Sequence, residues 1–210
     1  KIIFAPNMFE GITTLKQISV TSTSSGPMQP YTTGNKPWQS VITTIETVTI
    51  NTDVTSVSDY AFEGATKLTT ITSWGSVTTI GQHSFDGCST LPSLTISDSV
   101  TSIGVGSFKN CVSLPSVTFG KELTSIPDDA FNGCKELKKI NIPDTITIIG
   151  NNTFNGCSSV TTLTFNKVTT IGENAFKGIY KNAVIDVTNN KKGEYKTLFK
   201  KGQGSKVKIK

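Results

Sequence analysis

The sequence predicts a solenoid, an α/β repeat in which short parallel strands are joined by turns or single helical turns at the corners. Three observations carry that prediction. Phenylalanine recurs at Phe62, Phe85, Phe108, Phe131 and Phe154 in steps of 23, at Phe176 after 22, and at Phe199 after 23 more. Behind each Phe, apolar residues fall at offsets of +6, +9 and +11, as in Leu91, Leu94 and Ile96, or Leu137, Ile140 and Ile142. Two residues after the Phe stands a glycine, at 64, 87, 133, 156 and 178, with Asn110 as the exception. A constant period in the twenties marks units that bury their apolar face only against their neighbours. At that period residues 1–210 hold about nine repeats in one continuous solenoid.

Within a repeat, each element has its own reason. The +9/+11 spacing is the period of a strand with one buried face. A second apolar pair, Val100 and Ile103 or Ile146 and Ile149, marks a second extended piece. The segment before each Phe, such as Pro127-Asp128-Asp129-Ala130, reads as one helical turn with acidic or amide residues at its start. The Gly or Asn two residues after the Phe then supplies a left-handed stop.

In chain order, the first repeat places Phe9, Ile12, Leu15, Ile18 and Val20 in the standard columns. An insertion near residues 21–38, rich in Ser, Thr, Gly and Pro, then interrupts the period, and the next unit has Gln39 where Phe belongs. Inserted loops often bind ligands, which would make Tyr31 and Trp38 contacts; equally, the loop is a tolerated excursion, since loop entropy grows slowly. In the third repeat Ser73 replaces an apolar residue beside Trp74. Either a bulge turns Trp74 inward, or it stands outward as an aromatic anchor. Cys88, Cys111, Cys134 and Cys157 share one column. Coil spacing permits Cys88–Cys111 and Cys134–Cys157 disulfides, but the column elsewhere holds Ala65 and Ile179, which favours an unbonded ladder of buried thiols.

Composition narrows the function. A hydrophobic fraction of 35% suffices for a thin solenoid, and abundant Ser and Thr suit exposed strands. No apolar run of about 18 residues exists, so no membrane insertion is expected. The chain opens KIIFAPNMF, which reads as a mature piece or fragment whose targeting signal lies outside it. All 20 basic residues are lysine, and ten of them lie from Lys177 onward against only Asp186 and Glu194. Residues 177–210 therefore read as a basic C-terminal cap. Without arginine, bidentate phosphate and base contacts are lacking, so nucleic acid is not an expected partner.

Chemistry is scarce. His83 is the single histidine, CxxC spacing is absent, and no phosphate loop or nucleophile elbow is present. No enzyme, metal site or cofactor is expected. What remains is surface: Thr49, Thr72, Thr95, Thr118, Asn141 and Thr164 alternate outward on the main strands. They form a hydroxyl and amide face that can hydrogen-bond a partner, with Trp74 as its aromatic member, although β-propensity alone also explains threonine there.

The repeat LxxLxIxxxVTxIGxxAFxGC, seen in IGENAFKG at 171–178 and IPDDAFNGC at 126–134, resembles the BspA-type leucine-rich repeats, the 23-residue class of bacterial surface protein A. The close, AFKGIYKNAVIDV followed by YKTLFKKGQGSKVKIK, resembles the C-terminal cap of such domains. The resemblance implies a right-handed leucine-rich-repeat solenoid, with its strands on the concave face. It implies a monomeric, noncatalytic module of a bacterial cell-surface or secreted protein, adhering to a host extracellular-matrix or cell-surface protein or to a glycan. The alternative is a structural spacer that projects another domain from the cell wall.

Overall fold

The computed structural model describes residues 12, 14–20, 26–28, 31–187, 195, 199 and 208–209. Over them the chain winds as a parallel-strand β-solenoid with almost no helix. Each coil lays down a main strand and a second strand. Main strands Gln17–Val20, Thr47–Ile50 and Thr70–Trp74 form one ladder, and Leu94–Thr95 pairs with Val117–Thr118. Lys139–Asn141, Thr162–Thr164, Val184–Asp186 and Lys208–Ile209 form the last. The second strands run from Gly26–Pro27 through Val54–Val57 and Thr79–Ile80 to Ser102–Ile103, then from Ser125–Ile126 through Ile148–Ile149 to Thr170–Ile171. Residues one repeat apart face each other, as Ile140, Leu163 and Ile185 do. The sequence period is thus the register of the ladder.

Ring stacking runs along the core. Phe85, Phe108, Phe131 and Phe154 stand 5.4, 5.5 and 5.5 Å apart at 4–10°, each with no exposed surface. Among the described residues the column runs from Trp38, 5.4 Å from Phe62, to Phe199, 5.2 Å from Phe176. Of the predicted first repeat and basic cap, residues 1–11, 13, 188–194, 196–198, 200–207 and 210 lie outside the described residues.

The corners correct the α/β expectation. They are turns, and the predicted single helical turns are not formed; among the described residues, the helical element that spans several residues is the 3-10 turn Gln39–Thr44. Two left-handed residues bracket each column Phe from Phe62 to Phe176, and an α-helical turn needs negative φ throughout. The one after the Phe was expected, with φ of 78° at Gly133 and 56° at Asn110. The one before it was not: Tyr60, His83, Asp129, Asn152 and Asn174 have φ of 49–57°. This alternation turns the N–H groups of Tyr60, Phe62 and Gly64 toward the next coil, where Gln82, Ser84 and Asp86 carbonyls accept at 2.7–2.9 Å. The acidic residues serve the same end. Asp59 accepts from the Gln82 N–H at 2.8 Å, so these carboxylates cap the neighbouring coil rather than a helix.

The four cysteines are free and buried. Each thiol donates to a Phe carbonyl of the preceding coil, Cys134 to Phe108 at 3.3 Å and Cys157 to Phe131 at 3.2 Å. Burial pushes the Cys134 thiol up from 9.0 to about 12, and pushes Cys88, Cys111 and Cys157 up as well. The thiolate is the nucleophile, so the native protein is expected to resist an alkylating reagent at about pH 8 and to react once unfolded. The folded state holds these protons longer than the unfolded chain. Their contribution is therefore complete below pH 9.0 and is lost as pH rises toward 12. A denaturation midpoint that falls over this window, and falls less in a Cys134→Ala variant, is the expected result.

Candidate functional site

The outward face of the main strands is continuous in composition but not in hydrogen bonding. Seven residues after the ring position, several coils have a backbone N–H that reaches back one coil: Thr69 donates to Glu46 O at 2.9 Å, Lys138 to Pro115 O at 3.0 Å, and Thr161 to Lys138 O at 2.9 Å. Pro92 and Pro115 occupy this column and have no N–H to give. Leu94–Thr95 still pairs with Val117–Thr118, yet it does not pair with Thr70–Trp74.

The second cause lies in the third coil. Register shifts along Thr70–Trp74, so that Val48 faces Ile71 while Ile50 faces Trp74. Ser73 is the extra residue of a bulge, and its Oγ accepts from the Gly75 N–H at 3.0 Å. The inward reading of Trp74 holds in part. Its ring meets the Phe85 ring edge-on at 5.8 Å, but the residue is only half-buried.

Together the missing donor and the bulge leave a groove of about 670 Å³ between the third and fourth coils. Ile71, Trp74, Pro92 and Leu94 give it apolar walls, and Thr72, Thr95 and their neighbours give it a hydroxyl rim. No charged side chain lines it. Of the residues singled out in the sequence, Thr72, Trp74 and Thr95 come together here. Thr49 joins them through a 2.7 Å contact between its Oγ1 and that of Thr72. Thr118 pairs with Thr95, and Asn141 with Thr164 on a separate ladder farther along. Pro92 was missed as a site residue. Its signal was proline in a column where other coils supply a donor.

The insertion has another job. Its residues 21–25, 29 and 30 lie outside the described residues, but Gly26–Pro27 starts a second-strand sheet, and the Met28 N–H donates to Ser56 O at 3.1 Å. Trp38 is 4% exposed and stacks on Phe62 at 10°, so it is a core residue and not an exposed contact. Its indole N–H donates to Ala61 O at 2.7 Å. The matching carbonyls of later coils, Ser84 and Ser107, accept from the backbone N–H of Phe62 and Phe85. The Trp38 side chain thus replaces both the ring and the donor of an absent corner. Lys36, 1% exposed, does likewise, its Nζ donating to Tyr60 O at 2.8 Å and Glu63 O at 3.0 Å. Burial lowers the Lys36 pKa, and the Glu63 carboxylate 3.6 Å away opposes that. Tyr31 lies edge-on to Trp38 at 5.4 Å, and burial raises its pKa.

Elsewhere, His83 stacks on Tyr60 at 5.4 Å, and its Nδ1 lies 3.0 Å from Asp86 Oδ2. Among the described residues, no group of three His, Cys, Asp or Glu side chains is placed to hold a metal ion. No helix among them is long and apolar enough to cross a membrane.

The family profile for the BspA type leucine rich repeat region matches in 6 copies, over residues 2–111, 32–134 and 78–206. No curated protein matches the chain. Among solved structures, it is similar to a leucine-rich repeat protein from Bacteroides ovatus, with 23% identity and a TM-score of 0.55. That alignment covers 80% of this chain and 51% of the other, so the chain spans about half the length of that relative. It is also similar to the leucine-rich repeat protein of T. pallidum, with 24% identity and a TM-score of 0.59 over 76% of this chain and 86% of that one. A leucine-rich cell surface protein from Faecalibacterium prausnitzii gives 23% identity and a TM-score of 0.49 over 73% and 62%. At these identities the likeness concerns the fold.

Proposed function

This chain belongs to the BspA type leucine-rich-repeat family, and from that premise we propose that it is a noncatalytic binding or adhesion module of a cell-surface or secreted protein. Its partner is an extracellular-matrix or cell-surface molecule of a host. The observation that carries this reading is the groove on the main-strand face, where a half-buried tryptophan and a rim of hydroxyls meet without charge. Interface hot spots favour tryptophan in a pocket ringed by polar groups.

The test is a solid-phase binding assay of the purified chain against immobilised matrix proteins and whole cells, with Trp74→Ala alongside. Saturable binding that survives raised ionic strength and weakens about tenfold in the variant is the expected result. Attachment through the lysine-rich end would fade with salt instead. Absence of binding to every surface would leave the solenoid as a spacer that projects another domain from the wall.

A further inference from the structure

We propose that the groove between strands Thr70–Trp74 and Leu94–Thr95 binds a neutral oligosaccharide, with a sugar ring against Trp74 and its hydroxyls paired with Ser93 and Thr95. This rests on the binding-module reading above and names the ligand class of that site.

Charge is the first argument. Sialylated, sulfated or polybasic chains carry formal charges that need a partner, and no lysine, aspartate or glutamate lines the groove. A neutral ligand loses nothing there. The second argument is the pairing of surface types. A pyranose has an apolar C–H face and a rim of hydroxyls that both donate and accept. The groove repeats that division: Trp74, Ile71 and Pro92 offer apolar surface, and Ser93 and Thr95 offer hydroxyls of the same two-way kind. An aromatic ring's negative face attracts weakly positive C–H groups.

The third argument is availability. The Trp74 indole N–H and the Ser93 and Thr95 hydroxyls have no partner within the described protein, whereas the Thr49 and Thr72 hydroxyls already satisfy each other at 2.7 Å. Ser93 and Thr95 are exposed, so a ligand replaces only water. An extended peptide fits less well. Strand addition requires an unbroken row of backbone donors and acceptors, and Pro92 removes a donor just where the fourth coil's strand begins. The coils also stay joined on either side of the opening. The Thr101 N–H donates to Thr78 O at 2.8 Å, and the Thr90 hydroxyl to Leu68 O at 3.1 Å. The opening is therefore a local recess of about 670 Å³, in the range of small-ligand sites of about 300–1,000 Å³.

Recess and aromatic ring arise together. The bulge that half-buries Trp74 also breaks the ladder, and a regular third coil would have neither.

The experiment is a titration of the whole chain, followed by amide and indole NMR, with cellotriose, chitotriose and maltotriose as probes and sialyllactose and a heparin disaccharide as charged controls. The expected result is saturable movement of the Trp74 indole resonance with a neutral trisaccharide and none with the charged probes. Trp74→Ala should weaken that binding at least about tenfold, and the Ser93→Ala/Thr95→Val pair should weaken it severalfold at an unchanged melting temperature. Because Trp74→Ala can loosen the third coil, the Ser93/Thr95 pair keeps the test decisive. Sugar binding unchanged in that pair, or shifts confined to other coils, would overturn the assignment. So would no response to any neutral trisaccharide while a matrix protein stripped of its glycans still binds, a result that leaves the binding-module reading standing. Failure of both sugars and matrix proteins sinks both.

Discussion

Replacing Phe108 with alanine is expected to cost about 3–5 kcal/mol, the usual penalty for emptying a fully buried aromatic site. Phe108 stacks between Phe85 at 5.4 Å and Phe131 at 5.5 Å and has no exposed surface. The coil cannot collapse into the space, because its strand and corner ladders hold adjacent coils in register. In a solenoid, stability is a sum of coil terms and nearest-neighbour interfaces. A hole in a middle coil weakens two interfaces, so the cooperative transition should broaden as the two halves begin to melt apart. Chemical denaturation reads the loss as a lower midpoint, and Phe108→Leu should recover most of it. An unchanged melting temperature would refute the ring column as the core.

Trp38→Ala is expected to be nearly as costly and more local, at about 3–5 kcal/mol for the buried ring. It uncovers the Phe62 ring and leaves Ala61 O, now accepting at 2.7 Å, without its donor. The loss should appear in hydrogen exchange as early opening of Thr47–Ile50 and the corner around Phe62, with the coils beyond Phe131 protected as before. Trp38→Phe separates the two roles. It keeps a stacked ring and removes the indole N–H, so it should cost only about 1–3 kcal/mol, the penalty of one unpaired buried acceptor. Equal losses in the two variants would show that the hydrogen bond, and not the ring, secures this end.

Much of the architecture was legible in the residues because a solenoid converts distant contacts into a periodic pattern. Phe85 and Phe108 are far apart in sequence but are neighbours in every sense that packing recognises, so a column in the sequence is a column in space. The thiol ladder followed from the same logic: Ala65 and Ile179 in that column asked for a small or medium buried apolar group, and the cysteines are free and buried. The outward threonines were legible as a face, since strand alternation fixes which side chains leave the core.

The corners and the groove were not legible in this way. A segment such as Asp128-Asp129-Ala130 satisfies helix-start rules locally, and only the next coil's backbone donors, which these residues serve, favour left-handed φ at Asp129 over a helical turn. Trp38 looked like part of a loop because its role depends on a carbonyl 23 positions away. Period, register and the buried columns are properties of each repeat and its copy, and the chain alone decided them. The opened ladder beside Trp74 and the capping of the first corner depend on which backbone groups find no partner across a coil interface. That is decided only when the coils are stacked and each donor must reach a real acceptor.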